Sequence, residues 1–196
     1  SPSGVCGVGV EQTRLRYALF IPWIFRRVEE KKLSSQVRSA LEQEEILLAR
    51  RLKAGDEDGV IGSRTYPRLP SQPASVVYWN ALGTWSILLG FPTGSYPSRY
   101  QVYRFLRHRT GVGRLRDDER QPLEEPNNVF APLPKPPEEW DHLDAPLTFK
   151  LRGQEAEFLR ARFIGVSNPD NVTPSLLSRL AEERLDVSSI PAPWDS

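Results

Sequence analysis

"RLRYALFIPWIFRR", residues 14 to 27, sets nine uncharged residues, Tyr17 to Phe25, between two pairs of arginines. A membrane-spanning helix needs about 20 largely apolar residues, so this run is too short to cross a bilayer, and no other stretch comes closer. It reads instead as a core helix whose ends are covered by the aliphatic stems of Arg14, Arg16, Arg26 and Arg27. The periodicity agrees: Leu15, Leu19 and Trp23 recur at four-residue spacing, with Phe20, Ile24 and Val28 on an adjoining stripe. Pro22 removes an internal hydrogen bond and is expected to kink this helix or divide it in two.

Working outward, a second helix fits Ser35 to Ala54, with Ser34 or Ser35 as its cap, Val37, Leu41, Leu48 and Leu52 on one face and Gly55 as its stop. "GDEDGVIG" follows as a loop. Residues 73 to 90 are mostly apolar, and Gly83 argues against one unbroken helix there. In "SYPSRYQVYRFLRHRTG", Ser95 is the expected cap, Pro97 suits the first turn and Gly111 follows the end. Further helices are expected near Gln154 to Phe163 and Ser175 to Arg184, and Leu147 to Leu151 reads as one short strand. A helix-turn-helix over residues 73 to 111 is a variant of this scheme, although "GFPTGSYP" is longer than the usual turn. The expected fold is mainly α: an irregular helical domain with a proline-rich surface connector and a short C-terminal helical segment.

Charge divides the chain in the same places. Residues 1–116 hold 18 Lys or Arg against 9 Asp or Glu, residues 117–146 hold 2 against 9, and residues 147–196 hold 6 against 7. A basic helical domain (1–116) is thus followed by an acidic connector (117–146), which seven prolines keep extended, and by a C-terminal segment (147–196) packing on the first. The lone cysteine, Cys6, forms no internal disulfide, and with only His108 and His142 beside it no closed Cys/His zinc site is available. The first ten residues have neither the basic nor the apolar region of a secretory signal. A cytoplasmic protein without membrane contact is expected. The lack of methionine and the start at Ser1 suggest a processed or partial chain.

The arginine run from Tyr96 to Arg116 is the leading functional candidate. Arg99, Arg104, Arg107, Arg109, Arg114 and Arg116 occur without an acidic residue and are interleaved with Tyr96, Tyr100, Tyr103 and Phe105. Guanidinium groups bind phosphates and aromatic faces stack on exposed bases, so the run suits nucleic acid. The structural alternative is a helix whose aromatics face the core and whose arginines are solvated or paired with the connector. Carboxylates in "GDEDG", "DDER" and "EEWDHLD" lack the spacing of an established metal loop, and no metal or other cofactor is expected. Glycines at 4, 7 and 9 lack the lysine of a phosphate loop, and Cys6 has no neighbouring histidine that would activate it. No catalytic residue is assigned. Trp140 is expected to anchor the connector and to bind a partner.

Three segments, "QTRLRYALFIPWIFRRVE" at 12–29, "GVIGSRTYPRLPSQPASVVYWNALGTWSI" at 59–87 and "PLTFKLRGQEAEFLRARF" at 146–163, resemble in order and separation an uncharacterised bacterial family known only as a domain of unknown function. The resemblance covers most of the chain and carries no catalytic residues. Relatives of this kind are usually longer and are encoded near helicases and nuclease-like proteins, which implies a role in defence against phage. The combined expectation is a non-enzymatic DNA-binding or scaffolding subunit of a bacterial anti-phage assembly, with DNA and other protein subunits as partners. The alternatives are a metal-dependent nuclease using Asp56 and Asp58, or a purely structural interaction subunit.

Overall fold

The computed structural model describes residues 14–31, 36–90, 95–109 and 128–164. Among them are five α-helices, α1 (Tyr17–Glu30), α2 (Val37–Ala54), α3 (Ala74–Thr84), α4 (Arg99–Arg109) and α5 (Gly153–Ile164), with one short 3-10 turn at Glu138–Asp141. The fold is mainly α. The expected helix at Ser175 to Arg184 lies outside the described residues.

α1 is the axle of the molecule. Every residue from Tyr17 to Phe25 is buried, as befits a helix that is apolar around its whole circumference. Rings surround it: Phe25 meets Trp79, Tyr103 and Phe130, Tyr17 meets Tyr78 and Phe149, and Phe20 and Trp23 meet Trp140. The expected division at Pro22 does not occur; the helix runs unbroken through the proline. One lost backbone bond, to the carbonyl four residues earlier, costs a few kcal/mol, whereas splitting this helix would expose residues that are all in the core.

α2 lies against α1 and supports α4. It begins at Val37, with Gln36 at the cap position and no side-chain cap, and ends at Gly55 as expected. The expected caps Ser34 and Ser35 lie outside the described residues. Gly55 serves a second purpose. A Cβ there would stand 2.1 Å from the Leu147 carbonyl oxygen, so only glycine lets the returning chain pass this close. The backbone N–H of Leu147 donates to the Arg51 carbonyl (3.0 Å), and that of Phe149 to the Glu57 carboxylate (2.7 Å). Residues 147–151 therefore form no strand: the backbone partners of Leu147 and Phe149 are a helix end and a side chain, so no ladder develops.

α3 stops at Thr84, and Leu88 then pairs antiparallel with Phe130 through Leu89 N–H to Val129 O and Ala131 N–H to Ile87 O, both 2.9 Å. This pairing and the length of the segment from Trp85 to Ser98 rule out a helix-turn-helix. The cap of α4 is Ser98, not Ser95. Its hydroxyl accepts the Gln101 N–H (3.2 Å) while the Gln101 side chain accepts the Ser98 N–H (2.7 Å), a reciprocal capping box. Pro97 stands before the cap, and its carbonyl accepts the buried Trp79 Nε1–H at 3.0 Å.

Candidate nucleic-acid interface

α4 keeps one face outside. Val102 and Leu106 are buried and Tyr103 stacks on Phe25 with ring centres 6.1 Å apart. Tyr100, Arg104 and Arg107, at i, i+4 and i+7, then share a stripe on the opposite side. Tyr100 is 68% exposed, Arg107 is exposed and Arg104 is half-buried.

Arg99 turns inward. Its guanidinium donates to the Tyr103 hydroxyl at 2.6 Å, lies 5.6 Å from that ring's centre and acts on the buried Glu45 of α2. Glu45 in turn accepts the backbone N–H of Ser75 at 2.7 Å, satisfying an orphan donor in the first turn of α3. Burial pushes the Glu45 carboxyl up, against the Ser75 hydrogen bonds and the charge of Arg99. Burial likewise raises the Tyr103 phenol, again against Arg99. Arg99 thus ties α4 to the body. The side chain of Arg109 and the whole of Arg114 and Arg116 lie outside the described residues.

Trp140 occupies the core, 4% exposed, stacked on Phe20 at 5.9 Å with an interplanar angle of 11° and tilted against Trp23 at 5.5 Å. The Arg27 guanidinium covers its ring at 4.2 Å. In this arrangement the ring is enclosed by its own chain and presents no face to a second protein. Among the described residues, the connector's carboxylates contribute little to its docking: Asp141 lies 3.9 Å from Arg27 and Asp144 2.9 Å from Arg50, and both are almost fully solvated. Its carbonyls are the main anchors. Buried Arg51 donates to Ala145 O (2.8 Å), Trp140 O (3.0 Å) and Glu139 O, and Arg27 also reaches Trp140 O. Arg27 meanwhile shares the buried Glu44 with Lys31.

A second buried charge cluster fastens α5. Arg16 grips Glu155 with two bonds of 2.8 Å, Arg152 adds a third of 2.7 Å and its backbone N–H a fourth, and Arg16 also donates to Thr148 O at 2.7 Å. Burial is the largest single influence on Glu155 and pushes its carboxyl up, but the hydrogen bonds from Arg16 and Arg152 together outweigh it and hold the group below the usual glutamate range. An open cleft of about 460 Å³ lies over this cluster, lined by Arg16, Lys150 and Arg152. Two of those cations are already committed to Glu155.

The remaining sequence candidates do not converge. Asp56 and Asp58 sit on an exposed turn, and Glu138, Glu139, Asp141, His142 and Asp144 face solvent. No group of three His, Cys, Asp or Glu among the described residues is placed to hold a metal ion. Cys6, the early glycines and "DDER" lie outside the described residues.

The run of arginines from Tyr96 onward belongs to a longer pattern. The acid-free stretch in fact starts at Gly59 and runs to Arg116, with Arg64 and Arg68 ahead of the six arginines already named and no lysine. Residues 64–68 are all exposed. Counting acidic residues rather than clustered arginines would have found them.

The sequence model of a family of unknown function, DUF6361, matches residues 4–194. No curated protein and no solved structure matches the chain. No helix among the described residues is long and apolar enough to cross a membrane.

Proposed function

From a chain that belongs to this family of unknown function, and thus inherits no activity from it, we propose a non-enzymatic DNA-binding or scaffolding subunit whose contact with DNA is the outer face of α4. The observation that carries the reading is the stripe of Tyr100, Arg104 and Arg107, an exposed aromatic in line with two guanidinium groups on a helix whose other side is packed. Arginine forks match phosphate oxygens in pairs, and such contacts position a protein without reading sequence. Placement in a cytoplasmic anti-phage assembly with other protein subunits is supported by the family resemblance alone.

The test is a salt series of DNA binding for the full chain and for Arg104→Ala/Arg107→Ala. Two lost phosphate contacts should reduce the slope of log K against log salt by about 1.4 on single strands or 1.8 on duplex, with helix content unchanged. Equal affinities and equal slopes would remove α4 from DNA contact and defeat the reading.

A further inference from the structure

The described residues expose three aromatic side chains to solvent, Tyr66 (45%), Tyr96 (48%) and Tyr100 (68%). All three fall within the acid-free stretch from Gly59 to Arg116, whose eight cationic residues are all arginine. The phenylalanines and tryptophans described are buried or half-buried. Tyr66 stands between Arg64 and Arg68, and neither guanidinium has an ion pair or hydrogen bond among the described residues.

The loop that carries them has a definite shape. Gly62 takes a left-handed φ of 86°, and its carbonyl accepts the N–H of Thr65 (3.2 Å), the N–H of Tyr66 (3.1 Å) and the Thr65 hydroxyl (3.2 Å). The Arg68 N–H returns to Thr65 O at 2.7 Å, and at the loop's base the Ile61 N–H donates to the Tyr17 hydroxyl at 3.0 Å. The loop's backbone donors are thus directed inward while its side chains stand out. Ile61 and Pro70 pack over the same turn of α2 that carries Glu45, and Glu45 also faces Arg99 in the first turn of α4. The loop and the DNA-contacting helix are therefore built against one support.

We infer that residues 62–70 form a second nucleic-acid contact, continuous in function with α4, and that the ligand is a single strand with unstacked bases. The inference rests on the DNA reading of α4 and deepens it. Arginine rather than lysine suits both phosphate forks and stacking on bases. Exposed tyrosines add affinity only where base faces are accessible: a duplex hides those faces in its own stack, whereas a single strand offers them. Two exposed arginines, each two residues from Tyr66 in one short loop, supply phosphate contacts beside a base stacked on that ring.

The experiment is fluorescence anisotropy of the full chain with labelled oligothymidylate and with a duplex of equal length. Oligothymidylate is expected to bind more tightly. Tyr66→Ala should weaken it roughly 5- to 150-fold, and Arg64→Ala/Arg68→Ala should lower its salt slope by about 1.4. These side chains are exposed, so unchanged melting of each variant serves as the folding control. If the loop variants bind like wild type while Arg104→Ala/Arg107→Ala is weakened, the loop inference falls and the α4 reading stands. Duplex binding equal to or tighter than single-strand binding overturns the single-strand assignment. If wild type binds neither, both readings fall.

Discussion

Replacing Trp140 by alanine should separate a docked connector from a draped one. The indole is 4% exposed, with Phe20 stacked on it, Trp23 tilted against it and the Arg27 guanidinium over it. Burial of a tryptophan removes about 200 Å² from water, worth about 5 kcal/mol at 25 cal/mol per Å² as an upper bound, and measured losses for such truncations run about 3–5 kcal/mol. We expect a loss of about 4 kcal/mol. With a urea dependence of about 2 kcal/mol per M, the unfolding midpoint falls by about 2 M, followed by far-UV circular dichroism. Trp140→Phe, which keeps a ring between Phe20 and Arg27, should recover more than half of that. Leu143→Ala, three residues on and 47% exposed, should change stability by no more than about 0.5 kcal/mol. If Trp140→Ala and Leu143→Ala shift the midpoint equally, the indole is not part of the core and the account of the connector is wrong.

Arg51→Leu should lower thermal stability by roughly 8 °C: it strips Ala145 O of its donor and leaves Trp140 O to Arg27 and Glu139 O to the His142 N–H alone, a loss of about 2–3 kcal/mol. A melting point within about 2 °C of wild type would show that the Arg51 guanidinium does not anchor the connector. Glu155 is held below its ordinary value of 4.5, so its contribution is complete above that pH and disappears as pH falls through the lower, folded-state value. Glu155→Gln should therefore cost about 3 kcal/mol at neutral pH and progressively less in acid, and a deficit independent of pH would contradict the role assigned to the Arg16 pair.

Periodicity together with local start and stop residues determined the helices. Apolar residues three and four apart identify α1, α2 and α5 because a helix returns the same face every 3.6 residues, whatever it packs against, and Gly55 marks a stop for equally local reasons. The burial of α1 was legible too, since a segment apolar on all sides has no face for water. The outer stripe of α4 was only half legible: the arginines are visible in sequence and Tyr103 lies one helical turn from Arg99, but Arg99 also points inward because Glu45 is there, and only the fold brings Glu45 to it.

Tertiary structure decided which charges matter and what holds the connector. Opposite net charges suggested carboxylates pairing with the basic half. Carboxylates on the surface gain little from pairing in water, however, whereas backbone carbonyls carried inside by Trp140 must find donors, and Arg27 and Arg51 supply them. The same necessity places Arg16 on Glu155, 139 residues apart in sequence. Arg152, three residues from Glu155, is a partner that a window of sequence contains, but Arg16 reaches Glu155 only because the fold carries it there.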